Sequence, residues 1–390
     1  MIKRSLLLLV GLLALCVGVG LGIFSYAHQP VMPNDNEIIV AETNTASVKQ
    51  DNRAQKWLTT YYEKYRLPSL SAAVAVKGEI VWAGSIGYSN ISDRTRATPR
   101  TQYRFGSVAK SITSAALIKL DSQGELDIDM PFTDYVSDWR DTNVNFTLAD
   151  LASHQAGIRH YGSGLNQVTE NLRDKAFANM RDAARLVEND EVLFAPGEGF
   201  SYTTYGYTLL GLAMERATGQ DFSSIVQKQI LVPAGMTDTE LEQREAVYPN
   251  KAVSYLNLGG YNITAPKVNL SYKYPGGGYL STPSDVARFG SMLLNDRAIS
   301  KEELVQITTP RAMKSGKVNP DNYGFGFNIG SDQIGQHFSH GGLSVGGRSF
   351  MVVYPGKQMV IAFVSNVTPG ELKMDRRKAA LELGLEFQYQ

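Results

Sequence analysis

Two blocks with the hydrophobic pattern of β-strands lie near the two ends of the chain. In the first block, residues 52–65 have helical spacing, and the apolar segments 70–76 and 80–86 flank Lys77-Gly78-Glu79. Lysine, glycine and glutamate between two apolar segments are typical of a tight turn. The pattern therefore predicts a helix from Asn52 to Tyr65, followed by a β-hairpin.

The second block predicts another hairpin near the C-terminus. Residues 348–354 and 358–365 flank Pro355-Gly356-Lys357, and residues 371–386 have the period of a closing helix. Sheet-forming sequence is thus present at both ends of the folded region.

The middle of the chain, from about residue 111 to residue 295, has mainly helical patterns separated by glycine and proline. Residues 205–218 and 284–294 are two of the predicted helices. The predicted fold class is α/β in the α+β sense. It is an antiparallel sheet built from N- and C-terminal segments and flanked by helices, with a large inserted helical lobe.

Residues 1–27 have the pattern of a secretory signal peptide or an uncleaved membrane anchor. Met1-Ile2-Lys3-Arg4 precedes about twenty apolar or small residues, enough to span a bilayer. Residues 28–52 are polar and predict a linker, and residues 53–390 predict the folded domain. Either interpretation predicts export. The domain is then periplasmic or extracellular on a membrane anchor, or secreted to the periplasm if the signal is cleaved.

Charge and cysteine content exclude several classes of function. The chain has 38 basic and 38 acidic residues, so no overall positive charge attracts nucleic acid. Its one cysteine, Cys16, lies in the N-terminal apolar run, so the folded domain has no disulfide and no thiolate metal ligand. The five histidines match no metal-binding pattern. We therefore expect neither a metal nor a cofactor.

Ser107-Val108-Ala109-Lys110 carries the clearest candidate chemistry. It is the only Ser-x-x-Lys in the chain, and the helical spacing that starts at Val108 places Ser107 at the beginning of a helix. Residues i and i+3 share a helix face, so the lysine amine can reach the serine hydroxyl. A lysine whose pKa is lowered by burial can accept the proton of a serine nucleophile. Alone, the motif also fits an exposed polar turn.

Tyr202 and His340 are two further candidates. Tyr202 precedes a predicted helix, and a lysine ammonium nearby would lower the phenol pKa, so that the side chain could relay protons. His340 precedes Gly341 and Gly342, beside the terminal hairpin, where a substrate can approach the backbone closely. Taken alone, each also fits a structural role.

Gly342-Leu343-Ser344-Val345-Gly346 matches the G-x-S-x-G nucleophile elbow. That elbow requires a strand before the serine and a helix after it. Here β-type sequence follows, and no histidine lies downstream of Ser344. We therefore reject Ser344 as the nucleophile.

Together these motifs resemble the serine β-lactamase-like superfamily, in the branch of class C β-lactamases and D-alanyl-D-alanine carboxypeptidases. The resemblance covers roughly residues 53–390. Ser107-Val108-Ala109-Lys110 matches the nucleophile motif, Tyr202-Thr203-Thr204 the Tyr-x-Asn motif, and His340-Gly341-Gly342 the Lys-Thr-Gly or His-x-Gly motif. Other segments, such as Ser271-Tyr272-Lys273, resemble the mitochondrial serine β-lactamase-like group and its bacterial relatives, which are described as peptidase-like.

The resemblance implies a role for each matched residue. Ser107 is the nucleophile, Lys110 the base or activator and Tyr202 the proton shuttle, with His340 as the fourth catalytic candidate. The amides of Ser107 and Leu343 form the oxyanion hole. Thr204, Gly341, Gly342 and Leu343 contact the substrate, and His154 serves a structural loop.

Two departures from the family pattern affect the expected substrate. Thr204 stands where β-lactamases usually have asparagine, and His340 replaces a lysine, which weakens the positive charge that holds a substrate carboxylate. We therefore expect peptidase, amidase or esterase chemistry on a small peptide or ester, through an acyl-serine, rather than efficient β-lactam hydrolysis. The alternative is a non-catalytic or assembling protein that keeps the fold. The oligomeric state stays open.

Overall fold

The computed structural model of the protein describes residues 27–28, 40–43, 46–140, 145–368 and 374–388. Apart from Ala27, the segment predicted as a signal or anchor lies outside the described residues. Within the described ranges, no helix is both long enough and apolar enough to cross a bilayer.

The strands, numbered in chain order, are β1 (Ala27–His28), β2 (Val40–Thr43), β3 (Ser69–Val76), β4 (Glu79–Asn90), β5 (Thr95–Arg96), β6 (Tyr103–Arg104), β7 (Glu240–Leu241), β8 (Tyr255–Leu258), β9 (Tyr261–Thr264), β10 (Tyr279–Ser281), β11 (Asn328–Ser331), β12 (Gln336–Ser344), β13 (Gly347–Tyr354), β14 (Met359–Ser365) and β15 (Val367–Thr368).

The α-helices are α1 (Val48–Tyr65), α2 (Ala109–Ser122), α3 (Phe132–Tyr135), α4 (Leu148–Ala152), α5 (Leu165–Asn171), α6 (Met180–Ala184), α7 (Thr204–Thr218), α8 (Phe222–Val226), α9 (Tyr274–Gly277), α10 (Pro283–Leu293), α11 (Lys301–Thr308) and α12 (Arg376–Leu385). Short 3₁₀ turns occupy Gly106–Val108, Ser271–Lys273 and Pro355–Lys357, and a π-helical turn follows α8 at Gln227–Leu231.

The largest sheet joins the two predicted hairpins. Its order is β11, β12, β13, β14, β3, β4 and β2, with β5 beside β4, and every pair is antiparallel. The hairpins meet where β14 pairs with β3, so that Met359 is opposite Val76 and Val364 opposite Ser71. The predicted sheet of N- and C-terminal segments is confirmed.

Alternate residues of the central strands pack into two different cores. In β3, Ala73 and Ala75 face the core on the α10 side of the sheet, whereas Ala72 and Val74 face the core formed with α1 and α12. Successive side chains of a strand point to opposite faces, so a strand covered on both sides is apolar throughout. This double coverage explains the continuous apolar pattern of the first hairpin.

The segment between β4 and β11 contains most of the described helices, as the sequence predicts, together with all the strands of one small sheet and the two middle strands of another. One has the order β6, β10, β7 and the other β1, β9, β8, β15. The 3₁₀ turn Gly106–Val108 and helix α2 lie between the large sheet and this helical lobe, and they place Ser107 at the junction.

The structure corrects the limits of two predicted elements. Helix α1 begins at Val48, inside the predicted linker, because Ser47 and Gln50 form a reciprocal capping box. Val40–Thr43, also in that linker, pairs with β4 as an edge strand. The predicted closing helix 371–386 is shorter, because the Asp375 side chain caps α12 at its start; residues 371–373 lie outside the described residues.

Candidate active site

Ser107 lies in a tight turn that is packed against strand β12. Gly106 has φ +54°, and a Cβ added there would lie 2.7 Å from the carbonyl oxygen of Leu343. A Cβ at Gly342 would lie 1.8 Å from the carbonyl oxygen of Phe105. Only glycine permits such close contact between two backbones. The two glycines therefore bring the Ser107 turn and residue 343 together.

Lys110 is fully buried one helical turn after Ser107. Its Nζ lies 2.7 Å from the carbonyl oxygen of Gly276, 3.0 Å from Oγ1 of Thr204 and 3.3 Å from Oγ of Ser107. Within the described part of the chain it forms no ion pair with a carboxylate. Burial, reinforced by the charge of Lys273, lowers the pKa of Lys110 well below its ordinary value.

Tyr202 lies beside both residues. Its hydroxyl is hydrogen-bonded to Ser107, and Nζ of Lys110 lies 4.9 Å from the centre of its ring. Burial raises the pKa of Tyr202 above its ordinary value, although the hydrogen bond to Ser107 lowers it. The lowering predicted for a nearby lysine ammonium therefore does not apply, because the pKa of Lys110 is itself lowered, which favours the neutral amine. Tyr202 therefore stays protonated at neutral pH.

His340 lines the same cavity as Ser107, but both of its ring nitrogens have partners within the protein. Nδ1 lies 2.7 Å from the carbonyl oxygen of Gly341, and Nε2 lies 3.0 Å from the hydroxyl of Tyr323. A carbonyl can only accept, so Nδ1 carries the proton and Tyr323 donates to Nε2. Burial, with the charge of Lys110, lowers the pKa of His340 to about 3. The ring is neutral and held in one orientation.

Thr204 and His160 form the wall beside Lys110. Besides its contact with Lys110, Thr204 donates its backbone N–H to Nδ1 of His160 at 3.1 Å. Nδ1 of His160 is therefore an acceptor, and the neutral ring carries its proton on Nε2. Burial lowers the pKa of His160 to about 3, with the charges of Lys110 and Lys273 adding to the effect. The sequence did not identify His160 as a site residue, because this histidine lies outside the serine, tyrosine and histidine motifs.

The cavity around Ser107 has a volume of about 640 Å³. It brings together seven of the eight predicted site residues, while Lys110 lies buried behind Ser107. Those seven are Ser107, Tyr202, Thr204, His340, Gly341, Gly342 and Leu343.

Two cationic side chains in this cavity were not predicted as site residues. Lys273 ends the motif Ser271-Tyr272-Lys273, whose resemblance was noted without a role for the lysine. Arg376, at the start of α12, donates to the carbonyl oxygens of Gly342 and Ser349, each at 3.0 Å. Burial, with the charge of Arg348, lowers the pKa of Arg376 to about 10, so it stays charged at neutral pH.

Ser344 and His154 occupy the kinds of position predicted for them. Ser344 ends β12, and the strand β13 follows instead of a helix, as the rejection of the elbow motif requires. His154 is buried in a turn with φ +63°, where its Nδ1 accepts the backbone N–H of Thr203 at 3.2 Å. Neither the described histidines nor the described acidic side chains form a group of three or more suited to a metal ion.

A sheet flanked by helices, with a serine at the start of a helix and a buried lysine and a tyrosine beside it, defines the serine β-lactamase-like superfamily. The sequence model of the Beta-lactamase family matches residues 54–385, and the chain belongs to this family of serine hydrolases. The predicted resemblance and fold class are both confirmed.

Comparison with individual proteins agrees with this assignment. The chain is 31% identical to the human (Homo sapiens) mitochondrial serine beta-lactamase-like protein LACTB over 293 residues, which cover 58% of this chain and 53% of that protein. It thus spans about half the length of that relative.

Two solved structures share the fold. The octameric penicillin-binding protein homologue from Pyrococcus abyssi has a TM-score of 0.72 at 24% identity, covering 87% of this chain and 77% of that one. The D-stereospecific amidohydrolase from Streptomyces sp. has a TM-score of 0.70 at 21% identity, covering 85% and 97%.

Proposed function

We propose that the protein hydrolyses ester or amide bonds of small peptides or esters through an acyl intermediate on Ser107. The observation that carries the proposal is the environment of Lys110, a fully buried lysine 3.3 Å from the Ser107 hydroxyl and without a carboxylate partner among the described residues. Burying a lysine in this way is unfavourable for stability and is typical of a site that needs a neutral amine.

The contacts of Lys110 suit it to be the base. A neutral amine has two N–H groups and one lone pair. The Gly276 carbonyl takes one N–H at 2.7 Å and Thr204 takes the other at 3.0 Å, which leaves the lone pair for the Ser107 hydroxyl. In acylation the proton of Ser107 moves to Nζ while Oγ attacks the substrate carbonyl carbon.

The charge that develops on the substrate carbonyl oxygen needs preorganised donors. We assign this role to the backbone N–H groups of Ser107 and Leu343, as the family resemblance implies. The contact between Gly106 and the Leu343 backbone supports the assignment, because it fixes the two segments relative to each other. Such donors each contribute about 3 kcal/mol to transition-state stabilisation.

Collapse of the tetrahedral intermediate needs a proton for the leaving group. Tyr202 suits this step because its raised pKa keeps it protonated and its hydroxyl is hydrogen-bonded to Ser107. As the carbon–oxygen or carbon–nitrogen bond breaks, Tyr202 protonates the leaving atom and recovers a proton from the Lys110 ammonium. A water molecule then attacks the acyl-serine with Lys110 again as base, and the Ser107 hydroxyl is regenerated.

The name of one structural neighbour supports the amide part of this proposal. The Streptomyces protein is called an amidohydrolase and the Pyrococcus protein a penicillin-binding protein homologue. We further propose that the domain acts outside the cytoplasm, on the basis of the N-terminal sequence. A fusion of residues 1–52 to a reporter that is active only after export tests that part.

The test of the proposed chemistry is covalent labelling of the folded protein with a fluorophosphonate, activated esters and a penicillin. A mass increase on the Ser107 peptide that is absent from Ser107→Ala supports the acyl-serine. Ser344→Ala should keep the adduct. No adduct with any probe on folded protein contradicts the proposal and favours the non-catalytic or assembling alternative, which light scattering then examines.

A further inference from the structure

Lys273 is a second buried lysine in the cavity around Ser107. The residue is 3% exposed, and its Nζ lies 5.3 Å from the ring centre of Tyr272 and 5.7 Å from that of Tyr161. Within the described part of the chain, Nζ has neither a hydrogen-bond acceptor nor a carboxylate within ion-pair distance. A buried ammonium that lies against aromatic faces, with no carboxylate in reach among the described residues, lacks its usual counter-charge.

The charged groups near Lys273 do not supply that counter-charge. Glu242 is the nearby carboxylate, but it already accepts two hydrogen bonds from Arg104, each 2.6 Å long, and a third from Lys251. The single carboxylate of Glu242 is thus shared by two cationic side chains, those of Arg104 and Lys251. Lys110 and His160 also interact with Lys273; both have lowered pKa values that favour their neutral forms, and neither supplies negative charge. The surroundings of Lys273 therefore have an excess of positive charge, which favours an added anion.

Lys273 changes its protonation state near neutral pH. Burial, with the charge of Arg104, lowers its pKa to about 7, and Glu242 only partly opposes the shift. An anion bound in contact with Nζ would raise this pKa and hold the ammonium form. The neighbouring Tyr161 and Tyr272 have pKa values raised by burial and stay neutral, so they do not provide the anion.

The position of Lys273 indicates which part of a substrate would meet it. Arg376 donates to the carbonyl oxygen of Gly342 on β12, whereas the Lys273 ammonium lies against Tyr161, whose ring stacks on that of His160 with 4.2 Å between the ring centres. The two cations therefore belong to different walls of the cavity. Lys273 shares the wall of His160 and Tyr161, and we place the acyl part of the substrate along this wall.

We propose that Lys273 is an anion subsite that binds a carboxylate carried by the acyl part of the substrate. The inference rests on the proposed function and deepens it. The preferred substrates are then half-esters or half-amides of dicarboxylic acids, in which one carbonyl reacts with Ser107 and the distal carboxylate contacts Nζ of Lys273. The carboxylate supplies the negative charge that Glu242 does not.

The kinetic test compares substrates that differ only in that charge. Umbelliferyl hemiesters of glutaric, adipic and pimelic acid are assayed against the same esters with the distal carboxylate capped as a methyl ester. For the chain length that fits, the hemiester should have a kcat/KM at least about tenfold higher at pH 6.5. The preference should fall towards pH 9, as the lysine loses its proton.

Three variants separate this role from others. Lys273→Met should bring the hemiester-to-diester ratio to about one, and Lys273→Arg should keep a preference. Lys175→Met, which removes a lysine that lies over Phe177, should keep the wild-type ratio. A wild-type ratio near one at every chain length, or a ratio that persists in Lys273→Met, overturns the proposal. So does an equal change in both substrates, which would mean that Lys273 only adjusts Lys110.

An equilibrium measurement keeps this result distinct from failure of the proposed chemistry. In the Ser107→Ala background, monomethyl and dimethyl esters of the same diacids are titrated by ligand-observed NMR. Tighter binding of the monoanion that disappears with Lys273→Met supports the subsite even if no ester acylates the wild-type protein. Equal binding of the charged and neutral esters overturns the subsite even if Ser107 is acylated.

Discussion

Thr204 joins Lys110 to the wall of the cavity, with 3.0 Å between its Oγ1 and the lysine Nζ. β-Lactamases usually have an asparagine at this position. In this chain the hydroxyl of Thr204 takes its place and accepts a hydrogen bond from Lys110, the lysine beside Ser107. We predict that Thr204→Val, which keeps the shape and removes the acceptor, lowers kcat/KM by about 10- to 100-fold, equivalent to roughly 1.5–3 kcal/mol. Thr204→Ser should retain most activity. Equal activity of the valine and serine variants would contradict this role.

The contact between β12 and the Ser107 turn makes Gly342 intolerant of a side chain. A Cβ there would lie 1.8 Å from the carbonyl oxygen of Phe105, so Gly342→Ala must displace Ser107 relative to Leu343. We expect activity to fall by at least about 100-fold, because a shift of 1 Å is enough for such a loss. Gly356→Ala is the control, since its added Cβ meets no atom within 4 Å. Turnover and thermal unfolding of both variants are measured together.

The lowered pKa of Lys110 predicts how activity depends on pH. Acylation needs the neutral amine, so kcat/KM rises with pH through the pKa of Lys110, well below the ordinary lysine value. Lys273→Met removes a positive charge that disfavours the Lys110 ammonium. The pKa of Lys110 should then rise, and the ascending limb should move to higher pH. A neutral ester assayed from pH 5 to 10 measures this, and a shift to lower pH would refute the coupling.

Buried neutral histidines predict a loss of stability in acid. The pKa values of His160 and His340 are each lowered to about 3. Between the ordinary pKa of about 6.5 and that value, the unfolded chain binds protons that the native protein does not. The free energy of unfolding should therefore fall as pH drops below about 6.5, and these groups contribute no pH dependence above it. Urea unfolding at several pH values tests this, and His340→Gln should show a shallower decline.

The Arg104–Glu242 pair is buried, with side chains 6% and 3% exposed. Glu242→Gln leaves Arg104 without its counter-charge, and we expect the free energy of unfolding to fall by about 3–5 kcal/mol. The exposed pair Lys301–Asp296 provides the contrast, since Asp296→Asn should change stability by less than about 1 kcal/mol. Chemical denaturation compares the two. Similar small effects would show that Arg104 finds another partner.

The sequence predicted the sheet and the closeness of Ser107 to Lys110 well, because both depend on local patterns. Because β3 packs into a core on each side, its sequence is apolar, and this pattern can be recognised from the sequence alone. Ser107 and Lys110 are three residues apart, which places them one helical turn from each other. The ends of the helices were predicted less well, because they depend on capping residues such as Ser47, and the spacing of apolar residues does not reveal these caps.

The electrostatics of the site was harder to predict. The direction of the Tyr202 pKa shift follows from burial, and burial comes from residues distant in the chain. His160 and Tyr323 meet Thr204 and His340 only after folding. Lys273 belonged to a motif, but its lack of a carboxylate partner depends on Glu242 being held by Arg104 and Lys251. Such competition for one acid is a property of the tertiary structure.

The pairing of β14 with β3 joins residues about 290 positions apart. During synthesis on the ribosome, the first hairpin emerges long before its neighbour in the sheet exists. One edge of β3 therefore stays unpaired until almost the whole chain has been released, and closure of such a distant contact is slow. The strand β12 that packs against Ser107 belongs to the late half. The residues around Ser107 therefore come together only after translation is complete. Until then the first hairpin exposes an apolar, unpaired strand edge, to which a chaperone could bind.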